Sequence, residues 1–286
     1  MDITDLSFIC ALVTEVLVSI ATALLGVTLV LRRLSFIGDG LSHVAFGALA
    51  AATVCGFEDT PLVIALPIVA ASSVLLLNSR SVAKIRGDAA LAILTSVSLS
   101  AGYLLIHFHE NLASHHSHEH MDAAEGHCPS HEIVETLLGS SSLADFTPSD
   151  IVLSVVLSVM VIAFFILFRK RIFAVSFDPE FSKVIGIRVS WWESALAVLS
   201  SIVILLAMKL VGALLVSALI VFPAVTAMKL AQSFAATLVV AAVVAAVTTA
   251  TGFITAGVAG IPTGATIVAV SAVVFIVIAL IRGNKS

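Results

Sequence analysis

Long apolar stretches recur along almost the whole chain, and they limit the folds open to it more than any other feature. Nine of them are long enough, or nearly so, to cross a bilayer core of about 30 Å as a helix. They cover residues 8–31, 35–54, 61–79, 88–107, 149–170, 192–208, 210–228, 232–256 and 262–281. The sequence therefore predicts an all-α polytopic membrane protein with about nine spans, eight to ten if residues 192–228 form a broken or re-entrant pair.

The distribution of charge predicts the orientation of these spans. With the N-terminus outside and the C-terminus in the cytoplasm, 13 of the 14 lysines and arginines fall in inner segments, all except Lys209. Most acidic residues fall on the outer side. We therefore expect residues 1–286 to form a single transmembrane domain, multi-pass in the cytoplasmic membrane and surrounded by membrane lipid. The net charge of −4 is the sum of a basic inner and an acidic outer face and indicates no nucleic-acid partner.

A histidine-rich segment interrupts the apolar pattern on the outer side, at residues 108–148. Eight of the nine histidines lie in or beside it, namely His107, His109, His115, His116, His118, His120, His127 and His131. Imidazole is a common ligand of zinc and similar ions, so the tract predicts a metal-capture loop. The alternative is a solvated loop whose histidines bind nothing.

A second polar segment lies on the inner side, at residues 171–190. It combines an acid–proline start, an apolar stripe at helical spacing and a glycine stop, which together predict a short amphipathic helix. The residues that define it are Phe177, Asp178, Pro179, Glu180, Phe181 and Gly186. Such a helix either lies on the membrane surface or docks into a groove on a soluble partner.

Two polar residues stand inside the second apolar stretch, Asp39 and His43. A spacing of four places both side chains on one helical face, and a charge within the bilayer costs at least about 2.5–3.5 kcal/mol, so the pair is a candidate metal site. Two ligands are too few for zinc or manganese, and the same pair from a second protomer would supply the others. The alternative is that Asp39 only caps the helix and His43 is a core residue. Glu15, in the first stretch, is a further candidate for lining a path.

Three segments resemble signatures of the membrane subunit of ATP-binding-cassette transporters that take up zinc, manganese or iron. They are "LRRLSFIGDGLSHVAFGALAA" (31–51), "FDPEFSKVIGI" (177–187) and "KLVGALLVSALIVFPAVTAMKL" (209–230). The resemblance implies a homodimer, cytoplasmic ATP-binding subunits and an extracytoplasmic solute-binding protein. It also implies that Asp39 and His43 form the intramembrane metal site and that residues 177–186 form the coupling helix. The sequence departs from the family at Gly40, where alanine is expected, which affects the expected helix start.

The resemblance implies a permease that moves zinc by ATP-driven alternating access, with manganese or ferrous iron as the alternative cargo. No permanently bound cofactor is expected. The chain has no Gly-x-x-x-x-Gly-Lys-Ser/Thr motif, so ATP hydrolysis is expected on a separate subunit and not on this chain. Two other classes remain open. A proton-coupled secondary transporter would use Glu15 and His43 as relay groups, and an intramembrane metalloenzyme would need a third ligand or a nucleophile beside Asp39 and His43.

Overall fold

The computed structural model describes residues 6–34, 36–56, 61–82, 87–116, 148–212 and 216–283, and within these ranges all regular structure is helical. Ten helices follow one another along the described chain. They are α1 (Leu6–Leu31), α2 (Ile37–Val54), α3 (Pro61–Val82), α4 (Gly87–His116), α5 (Pro148–Phe177), α6 (Pro179–Val184), α7 (Val189–Val211), α8 (Val216–Leu230), α9 (Phe234–Ala259) and α10 (Thr263–Gly283).

Each of the nine predicted apolar stretches corresponds to one helix, and α6 is the predicted short amphipathic helix. Among the described residues, seven helices are long and apolar enough to cross a membrane, while α3 and α8 have shorter apolar parts. The 15 residues of α8 extend only about 22 Å, less than a bilayer core. Residues 192–228, which the sequence left open as two spans or a broken pair, contain the two separate helices α7 and α8. Helix α7 ends at Val211, and the following Gly212 has a φ of 94°, which side chains disfavour.

The helices divide into an inner and an outer set. In α1, α2 and α7 the apolar window is 61%, 67% and 72% buried, whereas in α4, α5 and α10 it is only 11%, 22% and 17% buried. Inner helices approach closely where a glycine removes the side chain: a Cβ added at Gly26 of α1 would lie 2.2 Å from the carbonyl oxygen of Ile220 in α8. Small residues thus let the backbones approach each other. This is expected in lipid, where the hydrophobic effect does not drive helices to associate.

The short helix α6 forms for reasons that are visible in its sequence. The Asp178 side chain accepts a hydrogen bond of 2.9 Å from the Phe181 amide, and Pro179 occupies the first turn, where its missing N–H costs nothing. Gly186, with a φ of 83°, ends the segment. The connections on both sides are tight, so α6 is held between the end of α5 and the start of α7.

Arg32, at the end of α1, holds these two helices together beside α6. Its Nη2 donates to the carbonyl oxygen of Val175 at 3.2 Å, and its Nε lies 3.4 Å from the Ser176 hydroxyl. Its Nη1 lies 3.6 Å from Oε1 of Glu193 in α7. Val175 is in the last turn of α5, where carbonyls lack intrahelical partners, so the guanidinium caps that helix. The turn that leads into α2 is therefore tied to both ends of the α6 segment.

Replacing Arg32 with Gln is expected to destabilise the protein by about 1–3 kcal/mol, because the Val175 carbonyl and the Ser176 hydroxyl lose their partner while buried. The measurement is the melting temperature of the full chain in detergent. Arg33→Gln is the matched control, since Arg33 is adjacent and exposed. Equal melting temperatures for the two variants would contradict the capping role.

Candidate metal site

The start of α2 places the predicted acid and histidine. The helix begins at Ile37 with Phe36 as its N-cap residue, and no side chain caps it by a hydrogen bond. Asp39 lies in the first turn, where a negative charge is favourable near the helix N-terminus, but its carboxylate does not accept a capping hydrogen bond. Its side chain extends along the helix towards His43. The geometry thus gives no support to the capping alternative.

Asp39 and His43 lie on one face of α2, as their spacing predicts. Asp39 Oδ1 is 3.8 Å from His43 Nε2, which is longer than a hydrogen bond. Two ligand atoms on one tetrahedral zinc ion, each about 2.1 Å from the metal, lie roughly 3.4 Å apart. A small rotation about a side-chain torsion would therefore let both atoms contact a single ion.

The burial of the pair is uneven. The His43 side chain is 9% exposed and that of Asp39 is 44% exposed. His43 Nδ1 is buried and has no hydrogen-bond partner among the described residues. Buried ring nitrogens normally have a hydrogen-bond partner, so the His43 ring lacks one hydrogen bond that it could form. The exposed carboxylate marks the side of α2 from which further ligands can approach.

Asp39 and His43 are the two possible ligands that lie together at this end of α2. In the part of the chain that the structure describes, no group of three or more His, Cys, Asp or Glu side chains comes together. Zinc takes four ligands and manganese usually more, so the two side chains alone would not complete the coordination of either ion. The expectation that a second chain supplies the other ligands stays a prediction.

The glycines near the pair pack α2 against its neighbours. A Cβ added at Gly47 would lie 2.8 Å from the Ser98 carbonyl oxygen of α4, and one at Gly38 would lie 2.6 Å from the Ile220 side chain of α8. At Gly40, where the family resemblance implies alanine, a Cβ would lie 2.8 Å from a terminal methyl group of Leu91. Because that methyl group can move, the departure matters little, and α2 begins before it, at Ile37.

Glu15 is not joined to the pair. It is 5% exposed and lies on the same face of α1 as Ser19, one turn later. Ser19 contacts α9, accepting a hydrogen bond of 2.6 Å from the Thr249 hydroxyl. Among the described residues no hydrogen bond or ion pair connects Glu15 with His43, and Glu15 Oε1 has no partner. The described residues thus contain no direct hydrogen-bonded link between Glu15 and His43.

Two of the predicted coupling residues, Phe177 and Phe181, belong to an exposed apolar patch. Phe177 is 73% exposed and Phe181 60% exposed, with Val184 beside them at 83%. A hydrogen bond of 2.8 Å from Lys183 Nζ to Glu180 lies on the same helix and raises the pKa of the Lys183 amine.

Aromatic residues behind the coupling segment were not identified from the sequence as a cluster. Trp192 is 4% exposed and packs against Phe164 and Phe168 of α5 at centroid distances of 6.0 Å and 5.3 Å. The neighbouring Trp191 is 58% exposed. From the sequence, Arg32 was only one of the basic residues assigned to the inner side. Nothing in its spacing predicted its contacts with α5 and α7.

The histidine tract lies partly within α4, which extends to His116, past the end expected at residue 107. His107 is exposed on that helix. His109, His115 and His116 belong to its last turns, while His118, His120, His127 and His131 lie outside the described residues. The metal-capture prediction for this tract stays a prediction.

The chain matches the model of the ABC 3 transport family over residues 6–282. It is 26% identical over 267 residues to the manganese transport system membrane protein MntC of Listeria monocytogenes, covering 93% of this chain and 88% of MntC. It is 25% identical over 266 residues to the high-affinity zinc uptake system membrane protein ZnuB of Haemophilus influenzae, covering 93% of this chain and 94% of ZnuB.

The fold is also found in a solved structure, PsaBC from Streptococcus pneumoniae in complex with a Fab. The match has a TM-score of 0.80 at 22% identity and covers 96% of this chain and 92% of the other. The family match spans nearly the whole sequence, and the described helices include seven able to cross a bilayer. The chain is therefore a multi-pass permease of the cytoplasmic membrane that belongs to the ABC 3 transport family.

Proposed function

We propose that this permease imports a divalent metal ion, zinc in the first place, through a site formed by Asp39 and His43. The observation that carries the proposal is the contact between a carboxylate and an imidazole, 3.8 Å apart, on the inner helix α2. An acid and a histidine at such a place are costly in a membrane protein unless they bind something. A cation that crosses the membrane is the ligand that fits both groups.

Zinc and manganese are the two cargoes that the similar proteins suggest. MntC is named for manganese and ZnuB for zinc, at almost the same identity to this chain. A carboxylate and an imidazole accept either ion, so the site itself does not discriminate strongly. The histidine tract favours zinc, because imidazole suits zinc better than the harder manganese ion, and manganese or ferrous iron is the alternative cargo.

The transport unit is a homodimer in this proposal. Two copies of the pair, related by a two-fold axis, give two carboxylates and two imidazoles, which is a complete ligand set for zinc. The 44% exposure of the Asp39 side chain supports this arrangement, because it leaves the carboxylate accessible from outside the chain.

Energy for transport comes from a separate ATP-binding subunit that contacts α6, and an extracytoplasmic solute-binding protein delivers the ion. The apolar patch on α6 supports the first contact, since three large apolar side chains would otherwise face water on the cytoplasmic side. Arg32 supplies a route from α6 to the metal pair, because it binds the helices on both sides of α6 and stands seven residues before Asp39. Movement of α6 then tilts the start of α2 and exposes the site alternately to each side.

Substituting either member of the pair is expected to abolish import. Asp39→Asn keeps the volume but removes the charge, and His43→Ala removes the second ligand. Because the two act as a unit, each should lower zinc uptake at least roughly a hundredfold, with the double variant little worse. Uptake is measured in vesicles that contain the ATP-binding and solute-binding subunits.

Ser42→Ala is the matched control for this pair. The Ser42 hydroxyl binds the Asp39 carbonyl and not its carboxylate, so both ligands remain. Near-normal uptake by Asp39→Asn would mean that the pair does not bind the transported ion.

Substituting the apolar patch is expected to separate ATP hydrolysis from transport. Phe181→Glu places a charge in the proposed docking surface, where an aromatic anchor is typically worth about 2 kcal/mol or more. Uptake should therefore fall while the ATP-binding subunit still hydrolyses ATP without stimulation by the metal, and membrane insertion should be retained. Lys183→Gln is the control, because it changes the same helix outside the patch. Normal coupling in Phe181→Glu would contradict docking at α6.

Removing the imidazoles of the outer tract is expected to matter only when zinc is scarce. Many weak ligands on one segment raise the local ion concentration without taking part in passage. Replacing the eight histidines between residues 107 and 131 with glutamine should lower uptake at limiting zinc and leave the rate at saturating zinc nearly unchanged.

A control variant replaces the carboxylates of the same tract with amides and keeps the histidines. The altered residues are Glu110, Glu119, Asp122 and Glu125. Loss of uptake at every zinc concentration in the histidine variant, with normal insertion, would place these histidines on the transport path.

A further inference from the structure

A cavity of about 460 Å³ opens beside α6. Its walls come from the last part of α5, the connection after α6 and the first turn of α7. The lining residues are Arg171, Gly186, Ile187, Arg188, Trp191 and Trp192. The lining includes neither Asp39 nor His43 and none of the apolar side chains Phe177, Phe181 and Val184, although Gly186 belongs to the predicted coupling segment.

The cavity carries two positive charges without a matching acid. Arg171 stacks over the Trp192 ring, 5.8 Å from its centroid, and within the described ranges neither Arg171 nor Arg188 has an acidic partner. The acids of the surrounding segment are engaged elsewhere. Asp178 caps α6, Glu180 binds Lys183 and Glu193 binds Arg32. Two guanidinium groups that share a cavity with no counter-ion favour an anion, and their planar donors match a phosphate group.

The position of the cavity indicates that this anion belongs to a lipid. Arg171 follows directly on the apolar part of α5, and Leu167, one turn earlier on the same face, is 74% exposed. On α7, Trp191 is 58% exposed and Val198, two turns further on the same face, is 38% exposed. A phosphate at the two arginines would therefore continue into two apolar helix faces that can receive acyl chains. Basic pockets between helices, beside an interfacial tryptophan, are typical of sites for anionic headgroups.

We infer that this cavity binds the phosphate headgroup of an anionic phospholipid of the inner leaflet. Its acyl chains lie along Leu167 and Val198. The inference requires that this end of α5 lies at the cytoplasmic boundary, but it does not depend on which ion is transported. Because Gly186 and Arg188 belong to the connection between α6 and α7, a bound lipid also restrains the segment that contacts the ATP-binding subunit.

The two tryptophans of the chain, Trp191 and Trp192, make the site directly measurable, because the sequence contains no others. The full chain in detergent is titrated with phosphatidylglycerol brominated near the carboxyl end of its acyl chains, and tryptophan fluorescence is recorded. Brominated phosphatidylcholine provides the zwitterionic comparison. Quenching is expected at a lower mole fraction of phosphatidylglycerol than of phosphatidylcholine.

Substitutions separate the cavity from general surface charge. The double variant Arg171→Gln with Arg188→Gln should need roughly thirtyfold more phosphatidylglycerol for half-maximal quenching. The matched control, Arg169→Gln with Lys170→Gln, removes the same charge from the neighbouring positions and should behave as the wild type. Equal losses in both double variants would overturn the inference.

The inference can also be tested on the wild-type chain alone. This test does not depend on whether the variants fold. Equal quenching by the two lipids would overturn it, because the site would then recognise no charge. Displacement of phosphatidylglycerol by inorganic phosphate at about 10 mM would also overturn it, because the site would then bind the free anion and not a lipid. Insensitivity to inorganic phosphate is the expected result. None of these readouts requires transport, so their failure is distinct from a failure of the proposed metal import.

Discussion

A bilayer offers the peptide backbone no hydrogen-bond partners, and this constraint determines most of the structure. Each segment must satisfy its own backbone groups, which explains why the regular structure of the described residues is helical. It also explains where glycine is needed, because helices in lipid associate through close packing and not through hydrophobic burial. Gly26 against the Ile220 carbonyl and Gly47 against the Ser98 carbonyl are contacts that no larger residue allows without a backbone shift. Because polar side chains within such a bundle are costly, they are candidates for a function.

Asp39 and His43 are connected to the α6 segment by a short path. The α6 segment lies between α5 and α7, and Arg32 binds both of these helices. The same arginine stands at the turn that leads into α2, one residue before Arg33, whose φ of 58° shows how tight that turn is. Asp39 and His43 follow within the first two turns of α2. In the proposed mechanism, a displacement of α6 would reach Asp39 and His43 through one side chain and one turn, without having to cross the bundle.

The sequence predicts the helices well because lipid makes length and hydropathy decisive. All nine apolar stretches became helices, and the Asp178–Pro179 start and the Gly186 stop of α6 were correct because capping chemistry is local. The pairing of Asp39 with His43 followed from their spacing. What the sequence could not give were contacts between distant segments. Arg32 with Val175, Trp192 with Phe164, and the isolation of Glu15 from His43 depend on how the helices pack, and no local pattern encodes that.

The central claim is that Asp39 and His43 from two chains hold the transported ion. The most direct measurement is the anomalous scattering of zinc in crystals of the complete transporter grown with that metal. A single peak on the two-fold axis, within about 2.0–2.2 Å of a carboxylate oxygen and an imidazole nitrogen of each chain, is the result that the account predicts. A zinc peak along the transport path that is bound by other residues, with Asp39 and His43 unliganded, would contradict it.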